Sequence, residues 1–160
     1  MIERVGVVGC GLMGSGIAEV SARGGCDVVV RELDSAAVDA GRSRITKSLD
    51  RAVKAGKLDA AERDATLGRI QLTTDLAELG DRQLVVEAVV EAEDEKVQVF
   101  STLDKVVTDP ASVLASNTSS IPIMKLAMAT SRPDKVVGMH FFNPVPVMPL
   151  VELVTSLLTS

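Results

Sequence analysis

Aromatic side chains are scarce in this sequence, and so is positive charge. It has no tryptophan or tyrosine and only three phenylalanines, and its formal net charge is −5. Proteins that bind nucleic acids need a positive field, and those that bind single strands also use aromatic faces on which bases stack. The composition therefore predicts that nucleic acid is not a partner.

Cysteine and long apolar runs are scarce as well. Cys10 and Cys26 are the only cysteines, too few for a disulfide framework, and both fit the reduced thiols of a cytosolic protein. No run reaches the roughly 18 apolar residues that a membrane span requires. Met1 leads directly into a strand-like segment and not into a signal peptide. We therefore expect no membrane association and a cytoplasmic location.

What is present is enough for one globular domain. The chain has 160 residues, of which 46% are hydrophobic and 24% charged, and a chain of this size can bury a core. Short apolar runs rich in β-branched residues alternate with helix-like patterns along the sequence. This order predicts an α/β fold over residues 1–160, with a doubly wound, Rossmann-type sheet that is mostly parallel.

Hydrophobic periodicity and capping residues predict the individual elements. Strands are expected at residues 2–8, 26–32, 69–74, 83–90, 112–117, 135–142 and 148–154. Helices are expected at residues 12–23, 35–55, 59–68, 75–79, 92–107 and 121–129. The last helix should open at Ser119 or Ser120, with Pro122 in its first turn. Residues 35–68 form a predicted helical hairpin inserted after the second strand, larger than a simple crossover requires.

A glycine-rich loop lies between the first strand and the first helix. Gly9, Gly11 and Gly14 form the pattern G-x-G-x-x-G, with Leu12 and Met13 inside it. The first glycine permits a tight turn, the second lets the backbone approach a pyrophosphate, and the third lets the helix pack closely on the strand. Free N–H groups at the positive end of the helix then hold the phosphate. These five residues are therefore predicted to bind a dinucleotide.

An acidic residue at the end of the second strand completes this pattern. Glu32 follows Gly14 by 18 residues, and a carboxylate here accepts hydrogen bonds from the ribose hydroxyls of the adenosine and repels a 2′-phosphate. The pattern favours NAD over NADP. Two alternatives stay open, because Arg31 could serve a 2′-phosphate and Asp34 competes for the ribose contact.

The predicted hairpin carries a concentration of basic residues. Residues 42–57 contain six basic side chains and the single acid Asp50. Four of the six are spaced by three and four and share one helical face, with Ser48 beside them; they are Arg44, Lys47, Arg51 and Lys54. Such a stripe is either a solvated helix face or a site for an anionic ligand, such as the phosphates of a carrier-linked substrate.

Four segments resemble one known family. They are "VGVVGCGLMGSGIAEV", "VVEAVVE", "LASNTSSIPI" and "GMHFFNPVPVMPLVELV". Over its whole length the chain resembles the NAD-binding domain of L-3-hydroxyacyl-CoA dehydrogenases, most nearly the bacterial 3-hydroxybutyryl-CoA dehydrogenases. The resemblance implies NAD-dependent oxidation of L-3-hydroxyacyl-CoA, of short chain length, to 3-oxoacyl-CoA, and the reverse reaction, in fatty acid or butanoate metabolism.

The resemblance gives His140, the only histidine in the chain, a catalytic role. A lone histidine in an apolar run is more often a core residue, but here it matches the family's general base. Glu152 matches the glutamate that orients the imidazole, and Ser119 matches the serine that bonds the substrate 3-oxygen near the cofactor. The residue types fit, since imidazole exchanges protons near neutral pH and can take the hydroxyl proton as a hydride leaves.

The resemblance also assigns binding residues for NAD and coenzyme A. The residues implied to line the NAD site, besides the glycine loop, are Glu32, Glu91, Lys96, Ser119 and Asn143. Those implied to contact the acyl-CoA are Ser48, Lys54 and Ser119, with Ala55 as an alternative to Lys54. No metal site is expected.

The resemblance further implies a helical C-terminal domain beyond residue 160, which supplies a catalytic asparagine, closes the substrate cleft and forms a homodimer. NAD binding is therefore expected of this chain, and its turnover is an open question. Two rival readings stand beside this one. The first is an NAD-binding module without turnover. The second is a β-hydroxyacid dehydrogenase of the 3-hydroxyisobutyrate or 6-phosphogluconate type, which shares G-L-M-G but uses a lysine and lacks H-F-F-N-P-V.

Overall fold

Seven strands form one sheet in the computed structural model, which describes residues 1–160. They are β1 (Arg4–Val8), β2 (Asp27–Arg31), β3 (Ile70–Thr73), β4 (Leu84–Glu87), β5 (Val113–Ser116), β6 (Val136–Phe141) and β7 (Val151–Val154). Their order across the sheet is β3-β2-β1-β4-β5-β6-β7. The first six strands are parallel, and β7 pairs antiparallel with β6. The predicted doubly wound, mostly parallel sheet is confirmed.

Five α-helices connect these strands. They are α1 (Leu12–Arg23), α2 (Ser35–Lys54), α3 (Ala60–Gly68), α4 (Glu93–Val106) and α5 (Ile123–Ala127), with 3-10 turns at Leu76–Leu79 and Pro133–Lys135. None of these helices combines the length and the low charge of a membrane-spanning segment. The chain builds outward from β1 in one direction to β3, then returns to add β4 on its other side. The carboxyl ends of β1 and β4 therefore flank the switch point at which open α/β sheets bind ligands.

The predicted helical hairpin after β2 is confirmed, and its caps explain its bounds. Asp34 caps α2, since its Oδ1 accepts a hydrogen bond from the Ala37 N–H at 2.8 Å. Asp59 and Glu62 form a reciprocal capping box at the start of α3, which satisfies two backbone donors at once. Between the two helices Gly56 adopts φ +71°, a conformation that glycine tolerates at no steric cost.

Several predicted element ends are wrong, and the last strand, expected from residue 148, begins only at Val151. The strand expected at residues 83–90 ends at Glu87, because the carboxylate of Glu87 binds the Val89 N–H at 2.7 Å and turns the chain away from the sheet. The helix expected from residue 121 begins only at Ile123, and neither predicted serine caps it. The hydroxyl of Thr118 instead accepts the N–H groups of Ser120 and Ile121.

Side chains of the sheet pack into two separate hydrophobic layers, one on each face. On one face Val7 packs with Ile17 of α1 and Leu49 of α2. On the other face Val8 packs in a cluster with Phe100 of α4. Adjacent residues of β1 thus enter opposite layers, as the alternation of a strand requires. The central strands are therefore covered on both faces, whereas β7 is exposed along its length.

A buried ion pair links the sheet to α4. Lys96 Nζ lies 2.6 Å from Glu87 Oε1, and the two side chains are 1% and 0% exposed. The hydroxyl of Ser116 on β5 donates to the second carboxylate oxygen at 2.6 Å. A buried charge is costly unless it is paired and hydrogen-bonded, and this carboxylate has a cation, a hydroxyl and a backbone N–H as partners.

We predict that Lys96→Met destabilises the fold by about 3–5 kcal/mol, because it leaves the Glu87 carboxylate buried without a cation. Urea unfolding followed by circular dichroism measures the change. Lys125→Met is the matched control, since it breaks the exposed Lys125–Glu93 pair at 2.8 Å and should cost no more than about 1 kcal/mol. The double variant Glu87→Gln/Lys96→Met should recover part of the loss. Equal effects of the two lysine substitutions would contradict this account.

Candidate cofactor and catalytic site

The predicted site residues gather at one edge of the sheet, where the parallel strands end. The glycine loop follows β1, Glu32 follows β2, Glu91 follows β4, Ser119 follows β5, and the segment from His140 to Asn143 ends β6. Because the carboxyl ends of parallel strands meet at one edge, residues that lie far apart in sequence become neighbours there. The sheet thus assembles a composite site from five loops.

The glycine loop has the geometry that a pyrophosphate requires. Gly9 adopts φ +94°, and its N–H donates to the Arg31 carbonyl at 2.9 Å. A Cβ on Gly14 would lie 1.9 Å from the carbonyl oxygen of Gly9, whereas a Cβ on Gly11 would meet nothing within 4 Å. The helix therefore packs tightly on the strand at Gly14, while the backbone at Gly11 stays open to a ligand. These features fit a dinucleotide.

The two residues inside the loop face different surroundings. Leu12 is 64% exposed and lines a cleft beside the loop. Met13 packs against the hydrophobic layer under α1. Its side chain therefore belongs to the core, and only its backbone remains in the loop to meet a cofactor.

The carboxylate of Glu32 lies against the glycine loop. Its Oε1 accepts the Cys10 N–H at 2.5 Å, and its Oε2 accepts the Leu33 N–H at 3.0 Å. Each oxygen keeps further acceptor capacity for a ligand hydroxyl. The rival Asp34 is committed to the cap of α2, and Arg31 reaches the Thr74 carbonyl at 3.4 Å. The geometry favours Glu32 as the acid beside the cofactor.

Cys10 is a fully buried residue of the glycine loop, and we assign it no role in catalysis. Burial, together with the negative charge of Glu32, raises the pKa of its thiol to about 11. Both cysteines of the chain are free. The Cys10 Sγ lies where a Cβ on Gly41 would be only 2.5 Å away, so α2 approaches the loop closely. Arg44 of α2 donates to the Cys10 carbonyl at 3.1 Å, which ties the hairpin to the glycine loop.

His140 and Glu152 form the pair that the resemblance implies. They lie directly opposite each other on the antiparallel strands β6 and β7, with Nδ1 3.2 Å from Oε2. The imidazole also contacts the ring of Phe142, with centroids 4.8 Å apart. A carboxylate only accepts, so Nδ1 carries the proton in this contact and Nε2 is left to accept one. The arrangement can perform general base catalysis.

Ser119 lies in the loop that follows β5. The residue is exposed, so its hydroxyl is available to a ligand. The neighbouring Asn117 was missed by the sequence analysis. Its Oδ1 accepts the Phe141 N–H at 3.0 Å, which joins the end of β5 to the end of β6 beside His140. The only sequence signal was its position as the last residue of a predicted strand.

The loop after β4 lies above the buried ion pair. The hydroxyl of Thr118 donates to the Glu91 carboxylate, and the exposed Glu91 lies 3.9 Å from Lys96 Nζ. The ammonium of Lys96 is 2.6 Å from Glu87. Lys96 is therefore buried beneath the loop that is predicted to bind the cofactor. Its ammonium group is paired with the Glu87 carboxylate.

A cleft of about 640 Å³ adjoins this edge, between α1, α2 and the segment from Asn143 to Val147. The polar and basic side chains along its α2 side are Arg44, Lys47, Ser48, Arg51 and Lys57. Ala55 lines the cleft and Lys54 does not. Lys57 was not predicted as a site residue, although it belongs to the basic segment. The structure thus places most of the basic stripe in the wall of one cavity.

Comparison with known proteins agrees with this geometry. Residues 4–160 match the family model described as 3-hydroxyacyl-CoA dehydrogenase, NAD binding domain. A 3-hydroxybutyryl-CoA dehydrogenase of Mycobacterium tuberculosis is 65% identical over 158 residues, which cover 99% of this chain and 55% of the relative. A probable 3-hydroxybutyryl-CoA dehydrogenase of Deinococcus radiodurans is 48% identical over 157 residues, which cover 98% of this chain and 56% of the relative.

Solved structures show the same likeness. A crystal structure of FadB2 from M. tuberculosis superposes with a TM-score of 0.98 at 65% identity, over 99% of this chain and 56% of that one. The (S)-3-hydroxybutyryl-CoA dehydrogenase PaaH1 from Ralstonia eutropha gives a TM-score of 0.96 at 46% identity, over 100% of this chain and 56% of that one. The chain thus spans about half the length of these relatives. With a family model that matches nearly all of its residues, the chain belongs to the family of NAD-binding domains of 3-hydroxyacyl-CoA dehydrogenases.

Proposed function

We propose that the protein carrying this chain oxidises L-3-hydroxyacyl-CoA to 3-oxoacyl-CoA with NAD, and catalyses the reverse reaction, with the short-chain 3-hydroxybutyryl-CoA as substrate. The observation that carries the proposal is the 3.2 Å contact between His140 and Glu152, at the sheet edge that also holds the glycine loop. Relatives that cover this chain are named 3-hydroxybutyryl-CoA dehydrogenase, which supports the choice of substrate. A cytoplasmic location belongs to the same proposal.

In this mechanism His140 moves the proton of the substrate hydroxyl. NAD, when bound, supplies the hydride acceptor. As the hydride leaves, Nε2 of His140 takes the hydroxyl proton, and Glu152 stabilises the imidazolium that forms. In reduction the same nitrogen returns the proton to the substrate oxygen. Because Glu152 holds Nδ1, the ring presents Nε2 to the substrate in the oxidation, where Nε2 accepts the proton, and in the reduction, where it donates the proton.

Ser119 and Asn143 are proposed to position the reacting groups. The exposed hydroxyl of Ser119 donates a hydrogen bond to the substrate 3-oxygen, which gains negative charge as its proton leaves. Asn143, which follows the strand of His140 and lines the cleft, faces the cofactor. Asn117 holds the backbone of the next strand beside them. Of the remaining predicted cofactor residues, Glu32 binds the adenosine ribose and Glu91 lies in the loop facing the cofactor.

The cleft beside α2 is proposed to hold the coenzyme A part of the substrate. Its phosphates are polyanionic, and Arg44, Lys47 and Arg51 present cations to the cavity while Ser48 offers a hydroxyl. Charge-assisted hydrogen bonds of this kind are stronger than neutral ones. Lys54 lies outside the cleft, so we propose that Lys57 supplies the cation at that end.

A second candidate function is an NAD-binding module without turnover. The observation that favours it is the exposure of the catalytic pair, since the side chains of His140 and Glu152 are 25% and 54% exposed. A hydride transfer site works best when water is excluded. We propose that the full-length protein closes this site and forms a homodimer through segments outside these residues.

We predict that the full-length protein oxidises NADH with acetoacetyl-CoA, while this chain alone binds NADH with little turnover. Absorbance at the NADH band measures turnover, and NADH fluorescence measures binding. His140→Ala should lower kcat by at least about 100-fold, since general base catalysis contributes about 10² to 10⁴. Turnover that survives this substitution would sink the mechanism. If neither the full-length protein nor this chain turns over substrate while both bind NADH, the result would support the NAD-binding module without turnover.

We predict that Glu152→Gln lowers kcat by about 100-fold and changes KM little, because an amide cannot stabilise the imidazolium and permits the wrong tautomer. Steady-state kinetics of the full-length protein give both constants. The control is Glu95→Gln, which removes one negative charge at an exposed position of α4. A Glu152→Gln variant with wild-type kcat would refute the orienting role.

We predict that Glu32→Ala weakens NADH binding about tenfold and narrows the preference for NADH over NADPH, because the ribose hydroxyls lose their acceptor and a 2′-phosphate meets less repulsion. Fluorescence titration with both cofactors measures the two affinities. Asp34→Ser is the matched control, since serine keeps the cap of α2 and removes the rival carboxylate. If Asp34→Ser weakens NADH binding and Glu32→Ala does not, Asp34 and not Glu32 binds the adenosine ribose.

A further inference from the structure

One carboxylate in the wall of the cleft has no use in the mechanism above. Glu19 of α1 lines the cavity, although its side chain is only 1% exposed. Its Oε1 is the one buried side-chain polar atom of the protein without a hydrogen-bond partner. The nearest cation is Arg23, whose guanidinium lies 3.9 Å away, beyond hydrogen-bond distance.

This arrangement leaves the Oε1 atom of Glu19 without a donor. Burial raises the pKa of Glu19, while the Ser48 hydroxyl and the charges of Arg23 and Arg51 act in the opposite direction. A buried acceptor without a partner carries a desolvation penalty, and such groups are rare in native proteins. A donor brought by a ligand in the cleft would remove the penalty.

The shape of the cleft indicates which part of a bound ligand would lie next to Glu19. The basic side chains of α2 lie along one side of it, and the segment that follows the strand of His140 lies along another. A ligand with its phosphates on the first and its reacting group near the second has to run along α1. Gly16 leaves room there for Val145, whose Cβ would be 2.7 Å from a Cβ at that position. Gly16 and Glu19 lie one turn apart on α1 and both line the cleft, so the linking arm of such a ligand would pass beside Glu19.

We propose that the Glu19 carboxylate accepts a hydrogen bond from an amide N–H of the pantetheine arm of the acyl-CoA. The inference rests on the proposed substrate class and adds a residue that selects for it. The arm contains two amides, and a carboxylate accepts but does not donate. Glu19 thus distinguishes an amide-bearing carrier from a simple thioester.

The test compares two thioesters of acetoacetate in the full-length protein, one with pantetheine and one with ethanethiol, which lacks amides. Neither carries a phosphate, so the charge of Glu19 does not bias the comparison. Glu19→Met should raise the KM for the pantetheine thioester about tenfold with kcat unchanged, because a hydrogen bond to a charged group is lost. The KM for the ethyl thioester should not change. Equal changes for both substrates, or no change for either, would overturn the proposal.

Three controls accompany this comparison. Glu19→Gln retains an acceptor oxygen, so its KM for the pantetheine thioester should rise less than that of Glu19→Met. Glu19→Ala serves if the longer side chain disturbs folding, which thermal unfolding reports. Glu95→Gln should behave as wild type.

Calorimetric binding of coenzyme A and of adenosine 3′,5′-bisphosphate, which lacks the arm, tests the contact without turnover. Glu19→Met should weaken coenzyme A about tenfold relative to the bisphosphate, and an unchanged ratio would overturn the proposal. This readout remains available if wild-type protein turns over neither thioester. Absence of turnover with acetoacetyl-CoA as well would reject the proposed dehydrogenase activity and not the Glu19 contact.

Discussion

The buried negative charge of Glu87 must be paired and hydrogen-bonded, and the ligand-binding edge of the sheet depends on this constraint. This group ends β4 inside the protein with no access to water, so each of its oxygens needs a partner. Lys96 comes from α4, Ser116 from β5, and a backbone N–H from the following loop. The three partners fix the strand ends and the loops above them relative to one another. The surface that faces a cofactor therefore lies on this buried polar cluster, and the glycine loop beside it is held by the hydrogen bonds of Cys10 with Glu32 and Arg44.

Charge is distributed unevenly over the fold, and the distribution follows function. The chain as a whole has a net charge of −5, which disfavours loose association with polyanions. The basic residues of the hairpin are concentrated on one wall of one cleft. The basic wall would attract the proposed polyanionic ligand, while the net negative charge of the chain would disfavour the binding of anions elsewhere on its surface.

Local signals made much of this structure predictable from sequence. The glycine loop, the alternation of strands and helices, and the caps at Asp34 and Asp59 depend on residues close together in the chain. The features that were missed depend on contacts between distant segments. Nothing near Lys96 in the sequence shows that this face of α4 meets Glu87, and nothing near Asn117 shows that its side chain reaches Phe141. Lys54 ends α2 and does not line the cleft, whereas Lys57, which follows the turn at Gly56, does.

The pairing of β6 with β7 has a consequence for how the site tolerates change. His140 and Glu152 face each other because they occupy matched positions on adjacent antiparallel strands. A slip of one residue would bring Val151 or Leu153 opposite the histidine and turn the glutamate to the other face of the sheet. The first part of the segment between the strands is constrained as well, because Asn143 and Val145 line the cleft. Only the part after Val147 could gain or lose residues while the hairpin closes in the same register, so what must be inherited intact is the ladder of backbone hydrogen bonds between the two strands.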